Sequence, residues 1–218
     1  MEALIFDLDG TLIDSAPDIH AGVLDALQTE DLPPITYAQT RSFIGRGVSA
    51  LFAQVRAALG VPDDPEQTDR MIRQFNARYE TVFAKTVLYP NVMSALRTMK
   101  ARGHTLALCT NKPEGPTHAA LAHFGMTDLF AVKTFGDGPY ARKPDPAPVF
   151  HILAALGTSN ALYIGDSETD AQTAHAAEIP FLLFTEGYRK APVDTLAAAA
   201  KFSDFSALPN AIQTARSA

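Results

Sequence analysis

Apolar residues fall into two patterns along this chain. Short unbroken runs, bounded by Gly, Pro, Asp or Asn, read as buried strands: ALIFDL (3–8), TLALCT (105–110), AVKTF (131–135), ALYIGD (161–166) and PFLLF (180–184). None alternates with polar residues, which is the signature of strands covered on both faces. Between them lie helical segments. VMSALRTMKARG (92–103), PTHAALAHFG (116–125) and APVFHILAALG (147–157) each close on a Gly suited to the position just past a helix. TDAQTAHAAE (169–178) is rich in helix formers. Strands alternating with helices predict an α/β fold whose core is a doubly wound (Rossmann-like) parallel sheet with right-handed crossovers.

Residues 15–84 break this alternation. They hold no strand run, but DIHAGVLDALQ (18–28), VSALFAQVRAALG (48–60) and EQTDRMIRQFNARYETVFA (66–84) read as helices, punctuated by LPPIT and VPDDPE. The alternation resumes at Tyr89–Pro90. The expected organisation is therefore an α/β core from residues 1–14 and 85–218, with an α-helical cap domain, 15–84, inserted after the first strand. Hinges are expected near Ile13–Pro17 and Ala84–Tyr89.

Composition narrows the possibilities. In 218 residues, 47% are hydrophobic and 19% charged, as in ordinary globular proteins. A net charge of −6 argues against a sequence-independent nucleic-acid surface, though a local basic pocket for a small anion is compatible with it. The single cysteine, Cys109, lies in an apolar run and is expected in the core. No signal peptide and no span of the ~20 apolar residues a membrane helix needs are evident, so the expectation is a cytoplasmic protein without membrane partners. The histidines at 20, 104, 118, 123, 151 and 175 show no metal-ligand spacing.

The candidate chemistry gathers at strand ends, where ligands bind in open parallel sheets. The first strand ends in Asp7 and Asp9, the second in Thr110 and Asn111, and the fourth in Asp166, with Ser167 and Asp170 just beyond. Lys143 lies in the loop GDGPYARKPDP. Converging carboxylates repel one another unless a cation joins them, and an oxygen-only ligand set points to Mg²⁺. These groups suit phosphoryl transfer. A carboxylate can act as nucleophile, while Thr110, Lys143 and main-chain N–H groups near Asn111 hold the phosphoryl oxygens. Asp9, on the same side of the extended chain as Asp7, can protonate a leaving alkoxide and then activate water, and Gly10 lets the chain turn sharply.

In that order, DLDGTLIDS, LCTNKP, the Lys of RKPDP and GDSETD resemble the four motifs of the haloacid dehalogenase superfamily, and the insertion resembles its helical cap. The resemblance implies Asp7 as nucleophile, Asp9 as general acid/base, and Thr110 and Lys143 as phosphate holders. It implies Mg²⁺ bound by Asp7, Asp166 and the Asp9 main-chain carbonyl, with Asp170 supporting the site through water or Lys143. Dehalogenases lack the second Asp of DxD, so Asp9 favours phosphate esters. TNKP (110–113), KPDPAPV (143–149) and TEGY (185–188) resemble the phosphoglycolate phosphatase group, although GDGPYARKPDP is a variant of its usual sequence. FIGRGVSALF (43–52) resembles the family's substrate-facing loop. Arg46 is its candidate for a second anion contact, such as a glycolate carboxylate.

The expected function is thus Mg²⁺-dependent hydrolysis of a small phosphate monoester through an aspartyl-phosphate, with 2-phosphoglycolate the first candidate. The partner is a small phosphorylated metabolite, and the protein is expected to be a monomer or homodimer. Two rivals stand beside this. A sugar phosphomutase of the same superfamily passes the phosphoryl group to another hydroxyl. A phospho-accepting regulatory domain normally has about half this length and lacks a carboxylate in the place of Asp9.

Overall fold

A computed structural model describes residues 2–79 and 82–217. Six parallel strands form its main sheet: β1 (Ala3–Phe6), β4 (Thr105–Cys109), β5 (Val132–Thr134), β6 (Ala161–Gly165), β7 (Phe181–Phe184) and β8 (Ala200–Phe202). Their order, β5-β4-β1-β6-β7-β8, is that of a doubly wound sheet. The order reverses between β1 and β6, so the chain segments leaving these two strands flank the crevice where such folds place ligands.

Burial on both faces follows from side-chain alternation. Leu4 and Phe6 join Leu106, Leu108, Leu162 and Ile164 in one cluster, covered by α5 (Val92–Ala101), α6 (Glu114–His123) and α9 (Leu208–Ser217). Ala3 and Ile5 join Ala107, Cys109, Ala161 and Tyr163 in a second, covered by α7 (Ala147–Leu156) and α8 (Glu168–Ala176). Cys109 is fully buried there, as its apolar setting in the sequence leads one to expect. Gly103, Gly125 and Gly157, the residues expected just past three helices, all have positive φ.

The inserted segment forms α1 (Ala16–Thr29), α2 (Tyr37–Phe43), α3 (Val48–Leu59) and α4 (Pro65–Tyr79). These helices bury a cluster of their own, including Ile19, Val23, Leu27, Phe52, Val55, Met71 and Phe75. Phe52 and Phe75 meet edge to face with centroids 5.6 Å apart. The helix expected over 66–84 is shorter: α4 is described to Tyr79, residues 80 and 81 lie outside the described residues, and 82–84 are not helical. Two elements absent from the sequence reading, β2 (Ile13–Asp14) and β3 (Val87–Leu88), pair antiparallel where the chain leaves for the helices and returns. Asp18 on α1 secures this return. Its Oδ2 accepts hydrogen bonds from Lys85 N (3.0 Å), Thr86 N (2.7 Å) and Thr86 Oγ1 (2.7 Å).

Candidate active site

The ends of β1, β4 and β6, together with the loop before α7, bring the expected residues together. Asp7, just past β1, is buried, and its Oδ1 lies 2.9 Å from Lys143 Nζ. The same ammonium contacts Asp170 Oδ1 at 2.7 Å and the Tyr163 hydroxyl at 3.0 Å. Burial lowers the Lys143 pKa, but Asp170 and Asp7 more than offset this and hold it above its usual range. A charge-paired lysine with 2% of its side chain exposed is a fixed positive anchor beside Asp7.

Asp166 follows β6 and is fixed from two sides. Thr11 Oγ1 donates to its Oδ1 at 2.7 Å, and Tyr188 N donates to its Oδ2 at 2.6 Å. Gly10 and Gly187 make room for it. A Cβ on Gly10, where φ is +90°, would lie 2.6 Å from Asp166 Oδ2; one on Gly187 would lie 2.3 Å from the same atom. Asp170 sits in the first turn of α8, where Ser167 and Asp170 form a reciprocal capping box. Asp170 Oδ2 also accepts from Asp166 N at 3.2 Å, Ser167 N at 3.1 Å and Ser167 Oγ at 2.7 Å. Asp170 therefore caps a helix and pairs with Lys143 at once.

Asp7, Asp166 and Asp170 each offer a carboxylate oxygen, all within 4.8 Å of one another. Burial, the largest effect, pushes the Asp7 carboxyl up to about 7; Lys143 opposes this and Asp170 adds to it. Burial likewise raises Asp166 well above the carboxylate range, with the charges of Asp170 and Asp7 adding to it. Crowded, buried carboxylates that resist ionisation fit a hard divalent cation, which would relieve both costs with oxygen ligands alone. Asp170, expected only to support the site, stands in this carboxylate cluster beside Asp7 and Asp166, while Asp9 is expected to contribute its main-chain carbonyl rather than its side chain.

Asp9 instead faces the helical module. Its Oδ1 accepts from Ser15 Oγ at 2.5 Å and Lys112 Nζ at 3.1 Å, with the Tyr79 hydroxyl at 3.4 Å. Lys112 Nζ also lies 3.5 Å from the centre of the Tyr79 ring, a close cation–π contact. Burial lowers the Lys112 pKa, against the favourable charge of Asp9. Neither Lys112 nor Tyr79 was singled out from the sequence as a site residue. Lys112 stood in view within TNKP, but Tyr79 closes α4, and no local signal places it against Asp9.

Thr110 is buried and lines the cleft, its Oγ1 accepting from Lys112 N at 3.1 Å. Asn111 acts as a bracket. Its Nδ2 donates to Gly45 O at 2.9 Å and Lys143 O at 3.0 Å, and its Oδ1 accepts from Lys143 N at 3.0 Å. The Asn111 side chain thus ties the α2–α3 loop to the core. Arg46 is exposed and is not among the cleft-lining residues, although its neighbours Gly45 and Gly47 are.

The cleft holds about 460 Å³ of space between protein atoms, its mouth included. Asp7, Asp9, Thr110, Asn111 and Lys112 line one side, and Ile19, Ile44, Val48, Leu51 and Phe75 the other. A second link between core and helices runs through Tyr188. Its hydroxyl accepts from Ser15 N (2.7 Å) and Ala16 N (2.9 Å) at the start of α1 and donates to Asp14 Oδ1 (2.7 Å). Arg41 on α2 donates to Gly187 O and lies 5.3 Å from the centre of the Tyr188 ring.

A doubly wound sheet with a carboxylate cluster at its switch point and a helical insertion over it defines a class of α/β hydrolases. The chain belongs to the haloacid dehalogenase-like hydrolase family, whose model matches residues 4–184. It is 47% identical to a phosphoglycolate phosphatase of Rhodobacter capsulatus over 97% of this chain and 96% of that protein. A phosphoglycolate phosphatase of Rhodospirillum rubrum is 40% identical, over 95% and 89% respectively. The crystal structure of a predicted phosphoglycolate phosphatase from Haemophilus somnus superposes with a TM-score of 0.89 at 30% identity, covering 96% of this chain and 97% of that one. Among the described residues, no helix is long and apolar enough to cross a membrane.

Proposed function

We propose that the protein is a Mg²⁺-dependent phosphatase that hydrolyses a small phosphate monoester through an aspartyl-phosphate, with 2-phosphoglycolate its substrate. The observation that carries this reading is the pairing of two differently placed carboxylates. Asp7 is buried against Lys143 in the acidic cluster, whereas Asp9 faces the cleft beneath the helices. The phosphoglycolate phosphatases to which the chain is similar along nearly its whole length support the choice of substrate.

In this mechanism Asp7 attacks phosphorus, and Lys143, ion-paired to its Oδ1, holds it in place. Thr110 and main-chain N–H groups near Asn111 receive the phosphoryl oxygens. Asp9 gives its proton to the leaving alkoxide and then takes one from the water that cleaves the aspartyl-phosphate. Asp7, Asp166 and the Asp9 carbonyl would hold Mg²⁺, with Asp170 as support. When bound, the ion neutralises charge on the phosphoryl group and on the carboxylates. Residues 15–84 act as the cap, with the β2–β3 pair at its hinge, and exclude water from the cleft. Arg46, exposed and outside the cleft lining, takes no part in these steps. Oligomeric state bears on none of these steps, because every proposed group comes from one chain.

A panel of small phosphate esters assayed with Mg²⁺, beside Asp7→Asn, tests the proposal. Metal-dependent phosphate release, greatest with 2-phosphoglycolate and lost in the variant, is the expected result. Full activity in Asp7→Asn, or turnover indifferent to the metal, would contradict it.

A further inference from the structure

A substrate with a carboxylate next to its ester oxygen needs a cation near the general acid. The sequence suggests Arg46, but Arg46 is exposed and outside the cleft lining. Arg142, another arginine near this loop, is also exposed and outside the cleft lining, with its Nε donating to Gly136 O. Lys143 is taken up by Asp7, Asp170 and Tyr163. Among the described residues that line the cleft, one cationic side chain stands out, that of Lys112.

We infer that Lys112 binds the substrate's carboxylate and selects α-phosphoryloxy carboxylates over neutral phosphate esters. The assignment rests on the phosphatase reading above. Its basis is geometric. Asp9 must meet the ester oxygen to protonate it, and Lys112 Nζ lies 3.1 and 3.4 Å from the two oxygens of that carboxylate. In 2-phosphoglycolate, the ester oxygen and the carboxylate share one methylene carbon. Seating the ester oxygen at Asp9 therefore brings the carboxylate within reach of Lys112. Lys112 Nζ meets both Asp9 oxygens and one aromatic face, and turning the N–H of the longer, 3.4 Å contact toward the substrate gives its carboxylate a donor while the 3.1 Å contact to Asp9 is kept.

The surroundings sharpen this selectivity. Lys112 is 1% exposed at its side chain, and the Tyr79 ring limits where the ammonium can move. A buried, held cation gives a charged partner more than a solvated one does. The facing wall of Ile19, Ile44, Val48, Leu51 and Phe75 offers no competing charge and does not solvate a carboxylate placed elsewhere. A second carboxylate at Lys112 is thus the acidic group this cleft can accommodate, and it must be close to the ester oxygen.

The test compares kcat/KM for 2-phosphoglycolate with that for 2-hydroxyethyl phosphate, in which a neutral CH₂OH replaces the carboxylate. The full chain is assayed with Mg²⁺. Lys112→Met lowers activity on both esters because it also touches Asp9, but the ratio in favour of 2-phosphoglycolate falls by a further ~10- to 100-fold, mainly through KM. Lys112→Gln, which keeps a polar end beside Asp9, loses the same preference if the methionine variant does not fold. Lys112→Arg recovers part of it, and Arg46→Met keeps the ratio. A ratio unchanged in both neutral variants, or lost in Arg46→Met instead, overturns the assignment while leaving the phosphatase reading intact. A wild-type enzyme that hydrolyses esters with no preference for 2-phosphoglycolate overturns the assignment together with the choice of substrate.

Discussion

At the scale of single residues, the site separates two carboxylates by environment. Asp7 is held in a buried acidic cluster with Lys143, while Asp9 meets Ser15, Lys112 and Tyr79. This separation predicts different mutant behaviour. Asp9→Asn should cost ~10²- to 10⁴-fold in kcat on alkyl phosphates and p-nitrophenyl phosphate alike, since both wait on hydrolysis of the aspartyl-phosphate, but p-nitrophenolate, which scarcely needs a proton to leave, should appear in a fast first burst. Comparing the two substrates checks it. The raised Asp7 pKa, near 7, gives a second prediction. In the metal-free protein this carboxyl stays protonated in the fold while the unfolded chain ionises it, so stability falls as pH climbs from the unfolded value near 4 toward 7. Because the ion binds the ionised form, the Mg²⁺-induced rise in Tm should be small at pH 5 and grow up to and beyond pH 7. Thermal melts with and without Mg²⁺ across that range measure it, and a shift that shrinks with rising pH would count against the cluster as the metal site.

Residue identities at the site were mostly legible, because DLDGT, TNKP, RKPDP and GDSETD each end or follow a recognisable strand or loop. The roles of Asn111 and Lys112 were less so. Asn111 turns out to be a bracket between Gly45 and Lys143, and Lys112 depends on Tyr79; both are contacts between segments far apart in the chain. Periodicity and local chemistry carry no information about such meetings.

At the scale of elements, glycines and capping groups hold the strand ends in register with the helices. Gly10→Ala places a methyl group 2.6 Å from Asp166 Oδ2 at a φ of +90°. It should destabilise the protein by about 2 kcal/mol or more and weaken Mg²⁺ binding as Asp166 is displaced, as urea titration and calorimetry would show. Tyr188→Phe removes the acceptor for two N–H groups at the start of α1, where helix donors lack partners of their own. A loss of about 1–3 kcal/mol is expected in urea, with the Asp166 contact to the Tyr188 main chain retained.

The long buried strands were readable because both faces are covered, which leaves uninterrupted apolar runs. The elements that escaped are short or lie at the edge. β2 and β3 have two residues each and exist through their pairing with each other. β8 emerges from an Ala-rich stretch and shows one exposed lysine between two buried residues. α2 did carry a local signal: Thr36 and Gln39 form a capping box, the S/T-x-x-E/Q pattern that marks a helix start.

At the scale of the molecule, two bodies of apolar packing meet over the switch point of the sheet. The helical cluster of Phe52, Phe75 and their neighbours is separate from the two clusters flanking the sheet. Among the described residues, polar contact between the bodies near the cleft runs through discrete groups: Asn111 to Gly45, Arg41 to Gly187, Tyr188 to Ser15 and Ala16, Ser15 to Asp9, and Tyr79 with Lys112 and Asp9. Discrete links of this kind suit a cap that opens to admit substrate and closes for chemistry. Asn111→Ala, which frees the α2–α3 loop, should raise KM more than it lowers the Tm, and hydrogen exchange in residues 44–48 should quicken. The insertion itself was visible in the sequence as a helical stretch interrupting strand–helix alternation. Its docking was not, since that rests on single hydrogen bonds between distant loops.

The central claim is that Asp7 carries the phosphoryl group between substrate and water. Quenching the enzyme in acid during turnover of phosphoryl-radiolabelled 2-phosphoglycolate with Mg²⁺, followed by peptide mapping, tests it most directly. Label is expected on the peptide containing Asp7, raised when Asp9→Asn slows hydrolysis of the intermediate, and absent in Asp7→Asn. Label on another residue, or undiminished turnover by Asp7→Asn, would contradict it.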